Sequence, residues 1–252
     1  MTGIVLDIVE KRFPAAAGAP AAPIYRDFRL DVAPFSFLVL LAPSGSGKTT
    51  LLNMIAGLDR DFAGRIGFEP AAGGAFGPEG PRIAYAFQNP RLLPWRRVLD
   101  NVALPLGGGE AAREAALAML REVGLEEQAG AYPERLSLGQ QRRVALARAF
   151  VLDPDVLLMD EPFVSLDEAG AARLRDLLRR LLARRPTTVV FVTHDSREAV
   201  ELGTRLVRLD GAPARIVADI PVTLSAEDRC SPAMVEALRR QVVGHGSSAD
   251  RS

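Results

Sequence analysis

The octapeptide Ala42-Pro43-Ser44-Gly45-Ser46-Gly47-Lys48-Thr49 constrains this chain more than any other stretch. It follows the apolar run Phe37-Leu38-Val39-Leu40-Leu41, which is too short for a globular helix and reads as a buried strand. It precedes Thr50-Leu51-Leu52-Asn53-Met54-Ile55-Ala56-Gly57, whose apolar residues recur at helical spacing before a glycine stop. A strand, a glycine-rich loop and a Gly-Lys-Thr helix opening make a phosphate-binding loop. Gly45 and Gly47 let consecutive N–H groups point into one concavity, and the helix N-terminus adds partial positive charge at the same place. Lys48 supplies a compact charge for terminal phosphates, and Thr49 a hydroxyl for the magnesium that accompanies them. Only two of the 31 basic side chains are lysine, Lys48 and Lys11. Arginine's planar fork does not replace a point charge in a tight loop, which marks Lys48 as functional. The first position of the pattern is Ala42, where glycine is usual.

The rest of the composition narrows the setting. The 252 residues suit one large domain or two small ones. Basic and acidic side chains balance at 31 each, so no global field recommends a nucleic acid partner. A single cysteine, Cys230, excludes an internal disulfide framework. The apolar runs are strand-sized, far short of the ~20 residues that span a bilayer, and Met1 to Glu10 has neither a basic start nor a cleavage site. The expectation is a cytosolic chain able to dock on a membrane protein.

In order, Ile4 to Val9 reads as a strand, Phe13 ends that segment, and Pro14 to Pro23 reads as an exposed loop. Phe28, Leu30 and Val32 alternate with Arg29 and Asp31, a strand with one wet face. Glycine and proline between Gly64 and Pro81 predict short strands and turns. Ile83 to Phe87 is a buried strand with Gln88 at its C-terminal end, where ligands sit in open α/β sheets. From about Arg91 to Leu152 the chain is mostly helical, broken by Gly107-Gly108-Gly109. One helix there presents Leu117, Leu120 and Val123 before Gly124. Ser137 N-caps an alanine-rich helix carrying Val144, Ala147 and Val151. Val156 to Met159 is a strand leading to Asp160-Glu161, one carboxylate suited to magnesium and one to water. A helix after Asp167 buries Leu174, Leu177, Leu178 and Leu181. Thr187 to Thr193 is a strand ending on His194, placed to meet a terminal phosphate. Short strands near Arg205 to Leu209 and Arg215 to Val217, a helix near Pro232 to Val243 and a polar tail complete the chain.

The ordered set of phosphate loop, Gln88, Leu136-Ser137-Leu138-Gly139-Gln140, Asp160-Glu161, Ser165-Leu166-Asp167 and His194 resembles the ATP-binding cassette (ABC) transporter ATPases. The resemblance runs from about Ile4 to Val222. Its specificity lies in the 136–140 segment, which has Leu138 where glycine is usual and keeps Ser137 and Gly139. It implies an α/β fold: a P-loop core with a mixed sheet, an antiparallel β subdomain, and a helical subdomain inserted at about 91–152. The implied domain is 1–222, followed by a C-terminal helix and disordered tail over 223–252. It also implies a head-to-tail homodimer closing over two ATP molecules with Mg2+. Residues 42–50, Thr50 included, would hold the phosphates of one nucleotide. Ser137 and Gly139 of the other subunit would cap it, and Gln140 and Asp167 would also bind the nucleotide. Phe13 would stack on adenine, with Tyr25 as the weaker alternative. Thr49, Asp160 and Gln88 would serve the metal, Glu161 would polarise the attacking water, and His194 would hold the γ-phosphate.

The segments Phe87 to Trp95 and Val98 to Val102, with Glu161-Pro162-Phe163 and Thr193-His194-Asp195, resemble importer ATPases for nitrate, sulfonates and taurine. That resemblance implies membrane permease partners, a periplasmic binding protein acting indirectly, and a peripheral place on the cytoplasmic face of the cell membrane. A soluble ABC ATPase acting on DNA or the ribosome would need a coiled-coil insertion or tandem cassettes, and neither is present. A GTPase reading fails because Asp61-Phe62-Ala63-Gly64 lies too close to Lys48 and no N-K-x-D guanine reader exists.

Overall fold

The structure, a computed structural model, describes residues 2–13, 22–70, 75–225 and 227–244. Most of the proline-alanine loop and the polar tail from 245 onward lie outside the described residues. In chain order the elements are β1 (Thr2–Arg12), β2 (Pro23–Val32), β3 (Phe37–Leu41), α1 (Lys48–Ile55), β4 (Ala63–Pro70) and β5 (Ile83–Ala86). Then come α2 (Val98–Ala103), α3 (Glu110–Glu122), α4 (Leu138–Phe150), β6 (Val156–Asp160) and α5 (Glu168–Arg184). The chain continues through β7 (Thr188–Thr193), α6 (Ser196–Leu202), β8 (Arg205–Asp210), β9 (Arg215–Pro221) and α7 (Pro232–Gly244).

The chain forms two compact units, Met1–Phe76 with Thr188–Ser252, and Gly77–Thr187. In the first, β2, β1 and β4 make an antiparallel sheet in which β1 is central. The expected alternation in β2 is present: Phe28, Leu30 and Val32 are buried while Arg29 and Asp31 face water. A second, mixed sheet of this unit runs β3 parallel to both β7 and β8, with β9 antiparallel to β8. All five residues of β3 and all six of β7 are buried, the continuous apolar pattern of a strand covered on both faces. The phosphate loop leaves the C-terminal end of β3 and so stands at the ligand-binding edge of this sheet.

In the second unit β5 and β6 pair in parallel, Ile83 beside Val156 through Ala86 beside Met159. Its helices α2, α3 and α4 pack on one another. On α3 the buried face is Ala112, Ala116, Met119 and Leu120, joined by Val123, whereas Leu117 is only half buried. Alanines count as core where helices approach closely, and the expected leucine stripe was rotated by that much. The stripe of α5 is as read, with Leu174, Leu177, Leu178 and Leu181 all at 3 % exposure or less. Among the described residues no helix is long and apolar enough to cross a membrane.

Candidate functional site

In the first unit the glycines of the phosphate loop adopt the conformation that only glycine takes easily, with φ of 80° at Gly45 and 89° at Gly47. Ala42 is not among the residues with positive φ, so the methyl there adds no backbone strain. Gly47 caps α1 without a side-chain hydrogen bond and no acid occupies the first turn. The helix closes its first turn when the Leu51 N–H donates to the Gly47 carbonyl at 2.9 Å. The N–H groups of Lys48, Thr49 and Thr50 belong to that first turn, ahead of the first intrahelical bond. Lys48 is buried to 6 % exposure and donates to the carbonyls of Ala42 and Pro43, both at 2.8 Å. Ser46 Oγ is buried with no hydrogen-bond partner. The N-terminus of α1, an ammonium held on main-chain oxygens and an orphaned hydroxyl fit a polyphosphate.

Thr49 faces outward, whereas the side chain of Thr50 turns inward to 9 % exposure. Phe13, just beyond β1, is half exposed, with the Lys11 ammonium 5.1 Å from its ring centre. Tyr25 is wholly buried; its hydroxyl donates to the Gly47 carbonyl at 3.0 Å, and burial raises its phenol well above the ordinary value. Tyr25 therefore supports the loop from below and has no face for a base. His194 is exposed at the end of β7 and lines a cavity of about 350 Å³ with Ala42, Pro43 and Arg208. Thr193 Oγ1 fixes its setting, accepting from the Asp195 N–H at 3.0 Å and donating to Glu198 at 2.7 Å.

In the second unit Asp160 ends β6 at 5 % exposure, and Glu161 follows with φ of 42°. A non-glycine residue in the left-handed region costs energy and persists where its neighbours over-determine it. Half-buried Tyr85, whose hydroxyl oxygen is itself buried with no hydrogen-bond partner, is pushed up by burial and secondarily by the Asp160 charge. Gln88 is exposed on the loop after β5. That loop is held by Arg148 of α4, which donates to the carbonyls of Pro90 at 2.7 Å and Arg91 at 2.9 Å. Burial lowers the Arg148 guanidinium below its ordinary range, so main-chain oxygens stand in for the water it has lost.

Ser137 caps α4 as expected. Its hydroxyl accepts from the Gln140 N–H at 3.3 Å, and Gln140 returns its amide oxygen to the Ser137 N–H at 2.9 Å, a reciprocal box. Ser137 is exposed and Leu138 is 37 % exposed, so the segment lies on the surface. A Cβ added at Gly139 would meet nothing nearer than Leu166 Cδ2 at 4.0 Å. Ser137, Gly139, Ser165 and Asp167 line one cavity of about 300 Å³ with Arg143 and Arg173. Asp167 caps α5 by accepting from the Gly170 N–H at 3.1 Å. Arg142 of α4 donates to the Val164 carbonyl at 2.8 Å, which ties the two segments together.

Residues 25–164 match the family model described as ABC transporter. The chain belongs to the ABC transporter family. It is 42 % identical over 224 residues to an aliphatic sulfonates import ATP-binding protein, SsuB 1, of Agrobacterium fabrum, covering 88 % of this chain and 77 % of that one. It is 48 % identical over 194 residues to the SsuB 2 protein of Mesorhizobium japonicum, covering 76 % and 74 %. Among solved structures, the dimeric post-hydrolysis state of the ATP-binding cassette MJ0796 bound to ADP and Pi matches with a TM-score of 0.74. That match is 30 % identical and covers 88 % of this chain and all of the other. The fold is that of an ABC ATPase, an α/β chain with one mixed and one antiparallel sheet.

Sequence reasoning missed the arginines of α4 as loop anchors and Asn101, wholly buried beneath the loop after Gln88. The basic run beside Gln140 was visible, but its targets lie tens of residues away and nothing local announces them. Asn101 stood within a family-like segment, yet its role needs the loop's path.

Proposed function

We propose that this chain is the ATP-hydrolysing, energy-coupling subunit of a bacterial importer for small anions of the aliphatic sulfonate kind. The observation that carries the reading is Gly139. It has ordinary backbone angles and open space at its Cβ, so nothing inside the chain requires a glycine there. A half-buried glycine with open space at its Cβ, beside an exposed capping serine, is explained by something that arrives from outside. On this reading it is the triphosphate held by a second copy, and the α4 N-terminus adds its partial positive charge.

Within one copy, Lys48 exchanges its carbonyl contacts for phosphate oxygens, and the N–H groups ahead of α1 receive the rest of the anion. Phe13 stacks on adenine. Glu161 accepts a proton from the attacking water, and His194 holds the terminal phosphate as charge develops. Thr49 and Asp160 would hold Mg2+ with phosphate oxygens, and Gln88 would sense it. Bound there, the ion supplies neutralisation of the phosphate charge. Residues 1–222 would form the ATPase domain with 223–252 appended. Peripheral attachment to the cytoplasmic face through permease subunits, with a periplasmic binding protein supplying cargo, completes the assignment.

Glu161→Gln tests it. The variant is expected to bind ATP with wild-type affinity, hydrolyse it at under a hundredth of the normal rate as a rough figure, and accumulate as an ATP-bound dimer on size exclusion. Wild-type turnover would remove Glu161 from its role.

A further inference from the structure

We propose that Lys11 is a positioning residue for nucleotide binding, whose ammonium holds the Phe13 ring as the platform on which the base stacks. The inference rests on the base-stacking role of Phe13 and adds what fixes that ring. Lys11 is 2 % exposed near the C-terminal end of β1, the central strand of its sheet. Its Nζ is 2.9 Å from Asp59 Oδ1 and 2.6 Å from the Asp61 carbonyl, so two of its three N–H donors serve the segment just after α1. The same nitrogen is 5.1 Å from the Phe13 ring centre, within the roughly 6 Å reach of cation–π attraction.

Three consequences follow from that one ammonium. It joins the strand that carries the base platform to the segment that follows the helix whose N-terminus would hold the phosphates. It restrains a half-exposed ring that would otherwise lose rotamer freedom on stacking. It also draws electron density from the ring, which favours stacking against an electron-rich purine. A buried lysine serves here because a compact ammonium reaches two oxygens and a ring at once, a geometry the broad guanidinium fork does not match. That accounts for the second lysine in a chain whose other basic side chains, apart from Lys48, are arginine.

The test uses the full chain and two probes, ATP and inorganic tripolyphosphate, in competition with a fluorescent ATP, on Phe13→Leu, Lys11→Met and the double variant. Phe13→Leu is expected to weaken ATP about tenfold and leave tripolyphosphate unchanged; if ATP binding is unaffected, the stacking role itself fails. Given that loss, Lys11→Met should weaken ATP about fivefold with tripolyphosphate unchanged, and add nothing in the double variant. A Lys11→Met chain that binds ATP like wild type, weakens both probes equally, or adds its full loss to Phe13→Leu overturns the proposal. Should Lys11→Met fail to melt cooperatively, a pentafluorophenylalanine at position 13 decides, since it leaves Lys11 in place. Its ring stacks well on purines but repels a cation, so ATP affinity falls if the ammonium holds the platform. An unchanged or higher affinity overturns it.

Discussion

The Tyr25 hydroxyl donates to the Gly47 carbonyl across 3.0 Å, so a fully buried ring from β2 carries the turn that opens α1. The fit leaves no room at Gly47: a Cβ there would lie 2.4 Å from Ile24 Cγ2 and 3.2 Å from the Tyr25 ring, on a backbone with φ of 89°. Gly45 has φ of 80° but nothing within 4 Å. The two loop glycines should therefore differ. Gly47→Ala is expected to cost about 3 kcal/mol and abolish ATP binding, while Gly45→Ala costs about 1 kcal/mol. Urea denaturation and a fluorescent-ATP titration of both variants check this; equal costs would mean that the packing against β2 is irrelevant.

Asn101 pins the loop that follows Gln88. Its Oδ1 accepts from the Leu93 N–H at 2.7 Å, and its Nδ2 lies 3.0 to 3.1 Å from the carbonyls of Leu93, Arg96 and Arg97. The side chain is wholly buried, so its removal strands main-chain groups that water cannot easily reach. Asn101→Ala should cost about 3 kcal/mol, and Asn101→Asp nearly as much, because a carboxylate has neither of the two N–H donors that those carbonyls share. Limited proteolysis near Trp95, which is 72 % exposed, should accelerate in both variants. Unchanged cleavage would show that the loop is held by Arg148 alone.

The elements read correctly from sequence are those whose pattern is local and repeated. The run Phe37 to Leu41 is β3 to the residue, and the glycines and lysine that follow fold as a phosphate loop because their spacing prescribes it. Errors arose where tertiary context overrides a local signal. Pro23 to Arg26 belong to β2 although proline and alanine precede them, because Tyr25 is drawn under Gly47 and its neighbours pair with β1. The short helix α6 went unread because Ser196 to Leu202 alternates charged and apolar residues over less than two turns. At the site, Ser137 was legible as a cap from its own neighbours. The tie from Lys11 to Asp59 spans 48 residues and was not. Residue type flagged Lys11 as unusual, but only the fold supplies its partners.

Glu122 and Arg185 give the stability a pH signature. Arg185 donates to both carboxylate oxygens, at 2.7 and 3.0 Å, and this hydrogen bonding lowers the Glu122 carboxyl below its ordinary value of 4.5 against the opposing effect of burial. A folded pKa below the unfolded one means that the contribution is full above the unfolded value and is lost as pH falls through the folded value. Glu122→Gln should therefore be less stable than wild type by about 1 kcal/mol near neutrality, and the gap should close as pH drops below about 4.5. Denaturation midpoints at about pH 7, 5 and 3 decide it. A gap of constant size across that range would show that lost packing, and not the ion pair, sets the difference.

Gly139→Asp separates the outer surface of α4 from the interior of the chain. The position has no positive φ and the nearest atom to an added Cβ is 4.0 Å away, so the variant should fold with a melting temperature within a few degrees of wild type. Its own phosphate loop is untouched, and ATP affinity of the monomer should be unchanged. The new carboxylate faces whatever approaches the Ser137 cap, and if that is a triphosphate the two anions repel in a site with little water between them. Hydrolysis is then expected to fall about a hundredfold, roughly the effect of losing one charge-stabilising donor in the transition state. Mixing equal amounts of Gly139→Asp and Lys48→Ala chains sharpens the outcome. A mixed dimer has one site with an intact loop facing an intact glycine only if the two defects fall in the same composite site, so partial recovery of activity would reveal that the loop and the cap work across subunits. Activity that falls with neither variant, or that Gly139→Asp leaves intact, would place the nucleotide away from α4.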